Sequence, residues 1–552
     1  MKNSVLFIFF VISLFSVDKI TGQSPLVPER VIVTTDRDAY IAGENILLKT
    51  RIYSQSLSSE TPSNVCYVLL RDAKNTYSSI FLKTAQNNIG TSCIYIPDTL
   101  QTGYYQIVAF TGYMRNFSED QYFYKQILIV NRFDEWLSNL FQQDDSLKND
   151  FVPQDSFKIF LTKDSFGFRE KVNVKFLPPS ESQTFKDFTV SVRSRNPFTA
   201  NGRTSSISEP AVSGDKKLQF PAERDGIYLT GKVISSGSQP VPGECLFLSA
   251  PDSVANLQYT FSDTNGNFSF LLNDYYLGKQ LIIKAERKNG NYSIIPDDKF
   301  KLQKPFVPVH YGITPELRKF IRESRNIVRI QKSYGVSNVK TSELPARVKI
   351  PFVYNGGALV VRPADFVELE NFREISENIL SGTRVKAENG GNFIYMVNKT
   401  DKTYFTKPAV IFLDGVYAYD LKMVLNFPSA AISKIELLPA LRMMGDLTFN
   451  GVVSINSANK LKSFGFDEGT CVYNMPSFSG STTYISPNYA YRSVKDPMPD
   501  LRQLLYWNAR PDLHDIEFYT SDIPGEYIIE VEAVDNDGNI QKAFSTFKVT
   551  GL

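Results

Sequence analysis

Two histidines, His310 and His514, are the first residues of this 552-residue chain to consider for general acid–base chemistry. A Ser-His-Asp triad or a zinc site built on histidine would have to use one of them. The sequence has no G-x-S-x-G stretch for a serine nucleophile, and no C-x-x-C or H-E-x-x-H stretch for zinc. We therefore expect no enzymatic activity, no catalytic residues, no metal and no cofactor.

The four cysteines are too few for a disulfide-rich scaffold. Cys66 and Cys93 both lie in segments with strand character, VCYVLL and SCIYIP. An oxidising compartment would permit a bridge between them, and two small buried apolar side chains are the alternative. Cys245 and Cys471 are predicted to lie in different domains and to be structural.

Two acidic stretches are similar to the start of a calcium loop, DTNG at residues 263–266 and DNDG at residues 535–538. Neither continues to a Glu at the twelfth position from its first Asp, where calcium loops place a bidentate ligand. Asn-Gly and Asp-Gly are typical of hairpins, so both stretches are predicted to be turns.

The composition favours a mainly β protein of several domains. The 60 basic and 58 acidic residues nearly balance, so electrostatics favours no nucleic-acid partner. The 41 Phe and 29 Tyr residues suit pleated, half-buried surfaces. A chain of this length is expected to divide into several domains.

Residues 1–23 are predicted to be a cleaved signal peptide. Lys2 supplies the positive charge, and residues 5–15 (VLFIFFVISLF) form an apolar core of 11 residues. Such a helix is about 16 Å long, too short to cross a bilayer. No Cys follows the core, which argues against a lipoprotein anchor, and no other segment approaches 18 apolar residues. The mature protein is expected to be exported.

Residues 24–132 alternate apolar and polar positions around Val31, Val33, Ile46, Leu48 and Ile52, which predicts half-buried strands. The stretches TDRDAYIAGE and GYYQIVAFT resemble the MG2 domain of the α2-macroglobulin superfamily, which implies a β-sandwich. Residues 133–155 are polar and are predicted to be a linker. Within residues 156–225, FGFREKVNVKFL resembles the opening strands of a second, partial macroglobulin-like sandwich.

Residues 226–304 are predicted to form strands separated by a Pro242-Gly243 turn and by the 263–266 turn. This pattern resembles the carboxypeptidase regulatory-like fold. The resemblance implies a small seven-stranded sandwich without catalysis, of the kind that often precedes plug domains in outer-membrane receptors.

Residues 305–348 are predicted to be a linker that contains one helix. Thr314 is a good N-cap, and Pro315 is tolerated at the first helical position. The helix has an apolar face and a basic face, so it either contacts anionic lipid or an acidic partner, or docks on neighbouring domains. The apolar residues are Leu317, Phe320, Ile321, Ile327 and Val328, and the basic residues are Arg318, Lys319, Arg322, Arg325, Arg329 and Lys332.

Residues 349–460 mix helical and strand patterns. Asn371, with Glu374 three residues later, predicts a capped helix start. Residues 407–457 then predict a strand at 409–413, an Asp414-Gly415 turn, a short helix at 420–425, and strands at 432–438 and 451–455. Here LDGV, ISKIELL and NGVVSIN resemble, at the right spacing, the plug domain of TonB-dependent outer-membrane receptors. The resemblance implies a small α/β fold, in which Asp414 and Gly415 are predicted to have a structural role.

Ninety-five residues follow Ser457. A receptor barrel of about 22 strands, at roughly 10 residues each, would need over twice that number. We therefore expect a plug-like domain without its own barrel. Residues 461–552 are predicted to be a C-terminal β-sandwich, or strands that complete another one, because Tyr527, Ile529 and Val531 alternate with less apolar positions.

The predicted architecture is mainly β, with serial macroglobulin- or Ig-like β-sandwich domains and a small α/β plug-like domain. The predicted function is that of a non-enzymatic periplasmic protein that binds or plugs a separate outer-membrane β-barrel, either a transporter or a secretion pore. Membrane association would come through that partner. In such a bacterial envelope protein the N-x-S/T sequences are expected to be incidental; they begin at Asn116, Asn267, Asn291 and Asn398.

A cell-surface adhesion or carbohydrate-binding protein is the alternative function. It would need aromatic side chains exposed on one sandwich face, and the candidates are Tyr484, Tyr489, Tyr491 and Trp507. A macroglobulin-like protease-binding protein is a third hypothesis. The Cys-Gly-Glu-Gln motif of a macroglobulin thioester is absent, since Cys471 lies in EGTCVYN.

Overall fold

The computed structural model describes residues 29–54, 63–84, 88–134, 158–177, 185–198, 218–286, 292–310, 314–342, 353–354, 358–458, 470–490, 498–509, 511, 515–535 and 540–551. The predicted signal peptide, most of the 133–155 linker and residues 536–538 of the DNDG turn lie outside these ranges. So do Asn291, Tyr491 and His514.

The first half of the described chain is built of short strands. Residues 29–130 form β1 (Glu29–Thr35), β2 (Ala39–Ile41), β3 (Asn45–Ser54), β4 (Val65–Arg71), β5 (Thr76–Lys83), β6 (Ile89–Tyr95), β7 (Gly103–Phe110) and β8 (Phe123–Val130). Next come β9 (Lys158–Leu161), β10 (Ser165–Phe166), β11 (Lys171–Leu177) and β12 (Phe185–Ser194). They are followed by β13 (Ile227–Ser235), β14 (Cys245–Ser249), β15 (Gln258–Phe261), β16 (Asn267–Leu272), β17 (Gln280–Ala285) and β18 (Tyr292–Pro296).

The second half of the described chain adds two α-helices. Helix α1 (Pro315–Ser333) precedes β19 (Val339–Thr341). Then come β20 (Leu359–Val361), α2 (Phe372–Asn378), β21 (Thr383–Glu388), β22 (Gly391–Met396), β23 (Val410–Leu413), β24 (Val416–Ala418), β25 (Ile432–Met444) and β26 (Leu447–Ser457). The last strands are β27 (Cys471–Asn474), β28 (Phe478–Ser479), β29 (Thr482–Tyr484), β30 (Leu504–Asn508), β31 (Asp515–Tyr519), β32 (Gly525–Asp535) and β33 (Ile540–Val549). This content confirms the predicted mainly β class.

The N-terminal sandwich (residues 29–134) packs a three-stranded sheet, β1-β3-β6, on a larger sheet in the order β2-β8-β7-β4-β5-β28. The five apolar residues whose alternation predicted strands, Val31, Val33, Ile46, Leu48 and Ile52, are all buried. They belong to one continuous core that also includes residues of the sandwich formed by residues 227–296, such as Leu229 and Leu246.

Residues 158–198 and 498–551 form one domain, which we call the composite sandwich. Its sheets have the orders β10-β33-β32-β12-β30 and β31-β11-β9. The sequence predicted either two domains, 156–225 and 461–552, or C-terminal strands that complete another sandwich, and the pairing of β12 with β30 and β32 agrees with the second possibility. The reason is packing: β11 alternates buried and exposed residues (KVNVKFL), and its apolar face is covered only when the C-terminal strands supply the second sheet.

The central sandwich (residues 227–296) has sheets in the orders β16-β13-β18 and β15-β14-β17-β27. Its seventh strand, β27, comes from residues 471–474, beyond the predicted 226–304 boundary. Cys245 on β14 and Cys471 on β27 are therefore in the same sheet, and the prediction that they lie in different domains is wrong. Downstream of β27, β28 pairs with β5 of the N-terminal sandwich and β29 pairs with β19.

The α/β domain (residues 358–458) is built on a sheet in the order β20-β25-β26-β23-β24, with α2 and the β21-β22 hairpin beside it. The helix predicted at residues 420–425 is a set of turns, in which the Val424 and Leu425 N–H groups both donate to the Leu421 carbonyl. The segment stops after one turn because Pro428 disfavours helical geometry at Phe427, the residue before it. Among the described residues, no helix has both the length and the apolar character that crossing a bilayer would require.

A polar interface joins the N-terminal and composite sandwiches. The Lys49 Nζ donates to Asp187 Oδ1 at 2.5 Å and to Thr189 Oγ1 at 2.9 Å. The Arg51 guanidinium lies 3.3 Å from the other Asp187 oxygen. Asp187 and Thr189 face this interface because Val190, next in the strand, points into the core of the composite sandwich. Buried charges with close partners fix the relative position of the two domains.

Glu530, at the same interface, is expected to make the fold less stable as the pH becomes acidic. Burial alone would raise its pKa, but the Lys542 ammonium at 2.9 Å and the Arg193 guanidinium at 2.5 Å outweigh burial and hold the pKa well below its usual range. A carboxyl with a lowered folded-state pKa stabilises the fold fully above its unfolded pKa of about 4.3, and loses that contribution as the pH falls.

We therefore expect Glu530→Gln to lower the melting temperature more at pH 7 than at pH 3, as measured by differential scanning calorimetry. The exposed Glu517, which pairs with Lys171 on the surface of the same domain, provides the control. Glu517→Gln should differ little from the wild type at either pH. An equal loss at both pH values for Glu530→Gln would contradict the assigned role of this carboxylate.

Candidate interaction site on the α/β domain

Both faces of β23, an inner strand of the α/β sheet, are buried. On β23, Ile411 and Leu413 pack toward α2, whereas Val410 and Phe412 pack against residues of the central sandwich. The rings of Tyr417 and its neighbour Phe247 in the central sandwich lie 4.5 Å apart between centroids. The α/β domain is therefore docked on the central sandwich through the face of its sheet that carries Val410 and Phe412.

The Asp414-Gly415 turn connects β23 and β24 as predicted. Asp414 has a φ of 46° and Gly415 a φ of 78°, which suits the two-residue hairpin turn that Asp-Gly favours. The Asp414 carboxylate accepts hydrogen bonds from the Ser457 N–H at 2.7 Å and from its hydroxyl at 2.8 Å. The turn thus holds the end of β26 as well as its own hairpin.

The same turn is a contact between domains. The Asp252 N–H of the central sandwich donates to the Asp414 carbonyl at 2.9 Å, and the Asn256 N–H donates to the Gly415 carbonyl at 3.3 Å. A Cβ on Gly415 would lie 2.7 Å from the Asp252 carbonyl oxygen and 2.8 Å from that of Val254. Only glycine allows so close an approach of two backbones.

The side of the α/β domain at β20 exposes apolar side chains. In the described part of the chain β20 pairs only with β25, so it is the edge strand of its sheet. Val367, in the turn after β20, is 84% exposed, and Met443, near the tip of the β25-β26 hairpin, is 76% exposed. We call the exposed apolar residues on this side the apolar edge; they are Leu359, Phe366, Val367, Leu441 and Met443. The register of β20 on β25 places Phe366 and Val367 toward one end of β25 and Leu441 and Met443 toward the other. Exposed apolar side chains along an edge strand are typical of a contact surface.

Helix α1 docks on its neighbours. The Thr314 hydroxyl caps it as predicted, accepting from the Leu317 N–H at 3.2 Å. Leu317, Ile321 and Val328 are buried against the N-terminal sandwich, and Ser324 accepts from Gln503 Nε2 of the composite sandwich at 2.7 Å. Contact with anionic lipid stays a prediction for the basic residues that remain exposed, Arg318, Lys319, Arg322 and Arg329.

Three of the four aromatic side chains proposed as a glycan-binding face lie in domain contacts; the fourth, Tyr491, is outside the described ranges. Trp507 is buried in a cluster with Leu47 of the N-terminal sandwich. Tyr484 donates its hydroxyl to the Leu504 carbonyl, and buried Tyr489 donates to Asp500 at 2.9 Å. They hold the composite sandwich in place and do not form an exposed platform.

His310, Cys66 and Cys93 were also considered for chemistry. His310 is exposed, and its ring meets the Tyr104 ring edge-on at 5.4 Å. Cys66 and Cys93 are both free, on β4 and β6 of the two facing sheets, and burial raises the pKa of the Cys66 thiol. Within the described ranges no three His, Cys, Asp or Glu side chains are grouped so that they could hold a metal ion.

Sequence reasoning also missed a buried ionic cluster between the N-terminal and central sandwiches. The Glu223 carboxylate accepts from the Tyr67 hydroxyl at 2.6 Å and lies 3.3 Å from Lys299 Nζ, which also donates to Tyr67 Oη at 2.8 Å. Burial lowers the pKa of Lys299, and the Glu223 charge opposes that effect. Glu223 precedes the central sandwich in the chain, Lys299 follows it, and Tyr67 belongs to the N-terminal sandwich, so the cluster joins the two domains.

No protein-family model matches the sequence, and no curated protein matches it. Among solved structures, Salmonella α2-macroglobulin reacted with methylamine has 9% identity and a TM-score of 0.23, over 95% of this chain and 39% of that one. Trypsin-activated α2-macroglobulin from Escherichia coli has 10% identity and a TM-score of 0.22, over 95% and 41%. A tetra-tandem repeat from the extending region of a large adhesion protein has 8% identity and a TM-score of 0.14, over 96% and 100%. The chain spans about two fifths of the length of these macroglobulins, and scores this low carry no conclusion about function.

Proposed function

We propose that this chain is a non-enzymatic, exported envelope protein that presents its α/β domain to a separate outer-membrane β-barrel. In this proposal the protein lies in the periplasm and is held at the outer membrane by the barrel, which is a transporter or a secretion pore. The sandwiches act as a rigid support, because the α/β domain is docked through one face of its sheet and through the Asp414-Gly415 turn.

The apolar edge is the observation that carries the proposal. Side chains such as Val367 and Met443 cost free energy while they face water, and a partner that covers them recovers it. The apolar edge lies on the domain whose 407–457 segment resembles receptor plugs. Such plugs sit inside a barrel and contact its strands. This resemblance supports a barrel over other partners.

The experiment is recovery of the tagged protein from membranes of its native host in mild detergent, with the co-purifying chains identified by mass spectrometry. We expect one β-barrel protein in stoichiometric amount. The double variant V367D/M443D should reduce its recovery at least tenfold, which corresponds to about 1.4 kcal/mol of binding free energy.

The matched control is Val307→Asp, because Val307 is 79% exposed but lies outside the α/β domain. This variant should retain the barrel. All three substituted side chains face solvent, so the melting temperatures should stay close to that of the wild type. Absence of any stoichiometric barrel, or equal recovery with V367D/M443D, would overturn the proposal.

A further inference from the structure

In the described part of the chain, the central sandwich is open along one side. Within the same ranges, β15 ends one of its sheets and β16 ends the other. A cleft of about 940 Å³ lies beside these two strands. Its walls include Thr260 and Phe261 of β15 and Phe268 and Ser269 of β16. Sites that hold a ligand segment commonly have this volume.

The hydrogen bonds of β13 show in which direction the N–H and C=O groups of each β16 residue point. The Asp297 N–H donates to the Thr230 carbonyl at 2.8 Å, so the polar groups of Thr230 face β18. Three residues further, the Val233 N–H donates to the Gly266 carbonyl at the start of β16, as the alternation of a strand requires. Thr230 is paired with Ser269, so that pair exchanges no hydrogen bonds. The N–H and C=O groups of Ser269 therefore point away from β13, toward the open side.

We infer that this cleft binds an extended polypeptide segment, which adds as a strand beside β16 and is held by the backbone groups of Ser269. Strand addition to an exposed sheet edge is a common mode of peptide recognition, with main-chain hydrogen bonds for affinity and pockets at alternate positions for specificity. Alternate side chains of the added strand enter the gap between the sheets, over Phe268 and Thr260.

The lining of the cleft defines the chemistry of the segment. The charged residues that line it are Asp263 and Asp297, both acidic. Arg115 lies 3.8 Å from Asp297, so the three groups together leave a net negative charge, which favours a segment with a basic side chain. Phe261 and Leu271 are exposed beside the strands and offer apolar contacts. The occupant is therefore an extended segment in which a Lys or Arg is flanked by β-branched, aromatic or small residues.

The test uses the full chain and an array of seven-residue peptides. Each peptide has Lys at its centre, and all combinations of Val, Thr, Phe and Ser occupy the other positions; a second array has Glu at the centre. We expect saturable binding to members of the Lys array and at least tenfold weaker binding to their Glu counterparts. The strongest peptide is then resynthesised with alternate backbone nitrogens methylated, on the edge that would face β16, which should abolish binding.

Two protein variants test the position. Ser269→Pro removes the free N–H without breaking a bond to β13, since proline is tolerated where the N–H points to an open edge. Its dissociation constant for the strongest peptide should rise at least tenfold, whereas Ser269→Ala, which keeps the N–H, should bind like the wild type. V367D/M443D should also bind normally, so failure here and failure of the barrel proposal are distinguishable.

Any of three results would overturn the inference: no saturable binding by any Lys peptide, equal binding of the N-methylated peptide, or undiminished binding by a folded Ser269→Pro variant. The methylated peptide decides the question even if Ser269→Pro does not fold. Binding of oligosaccharides in the same cleft, unaffected by Ser269→Pro, would likewise replace the strand-addition model.

Discussion

Replacing Lys299 with methionine is expected to lower the free energy of unfolding of the joined N-terminal and central sandwiches by about 3–5 kcal/mol. Glu223 and Lys299 are both buried, and Lys299 is the cation beside that carboxylate, at 3.3 Å. Without the ammonium, the carboxylate must stay charged without compensation or take up a proton, and either change costs free energy. Hydrogen exchange in β4 and β18, followed through a denaturant titration, measures the effect at the cluster.

The double variant E223Q/K299M should recover much of this loss, because it removes both buried charges. The amide oxygen of the introduced glutamine side chain can still accept from the Tyr67 hydroxyl, as the Glu223 carboxylate does. Lys319→Met is the control for charge removal, since Lys319 and Glu323 form an exposed i,i+4 pair on α1. It should cost no more than about 0.5 kcal/mol. If the double variant is as unstable as Lys299→Met, the cluster does not act as a compensated charge pair.

Local chemistry allowed parts of this fold to be predicted. The N-caps of α1 and α2 form at Thr314 and Asn371 as expected, and the Asn371 side chain accepts from the Glu374 N–H at 3.2 Å. These features depend on residues within four positions of one another, and short-range hydrogen bonding decides them. The alternation in β1, β3 and β32 was equally informative because each strand has one side facing a core.

The domain boundaries could not be predicted in the same way. β12 pairs with β30 and β32, and no local signal records a partner more than 300 residues away. The same holds for β27, which carries Cys471 into the sheet of Cys245. Apolar faces on β9–β12 show that a second sheet is needed, but they do not identify the segment that supplies it.

Two signals for the domain contacts were nevertheless present in the sequence. Leu47 interrupts the alternation between Ile46 and Leu48, and it is buried under Leu504 and Trp507 of the composite sandwich. The VIFL run of β23 is apolar at every position, as expected of a strand covered on both faces. An apolar residue at a strand position that alternation would leave facing solvent therefore indicates a contact with another domain.

Replacing Gly415 with alanine is expected to loosen the α/β domain from the central sandwich, at a cost of about 3 kcal/mol. Two effects add: a non-glycine residue at a φ of 78° costs about 1 kcal/mol or more, and overpacking typically costs about 1–3 kcal/mol. The second effect arises because the new Cβ would meet the carbonyl oxygens of Asp252 and Val254 at 2.7 and 2.8 Å. These are backbone atoms, so the two domains must separate to relieve the contact.

Gly390 separates these two effects. It has a φ of 75°, almost the same as Gly415, but no atom lies within 4 Å of its hypothetical Cβ. Gly390→Ala should therefore show the backbone cost alone, about 1 kcal/mol, and leave the docking intact. Hydrogen exchange in β14 and β23 distinguishes the variants, since only Gly415→Ala should expose both sides of the interface together. Equal effects of the two alanine substitutions would show that the turn contributes its conformation but not its contact with the central sandwich.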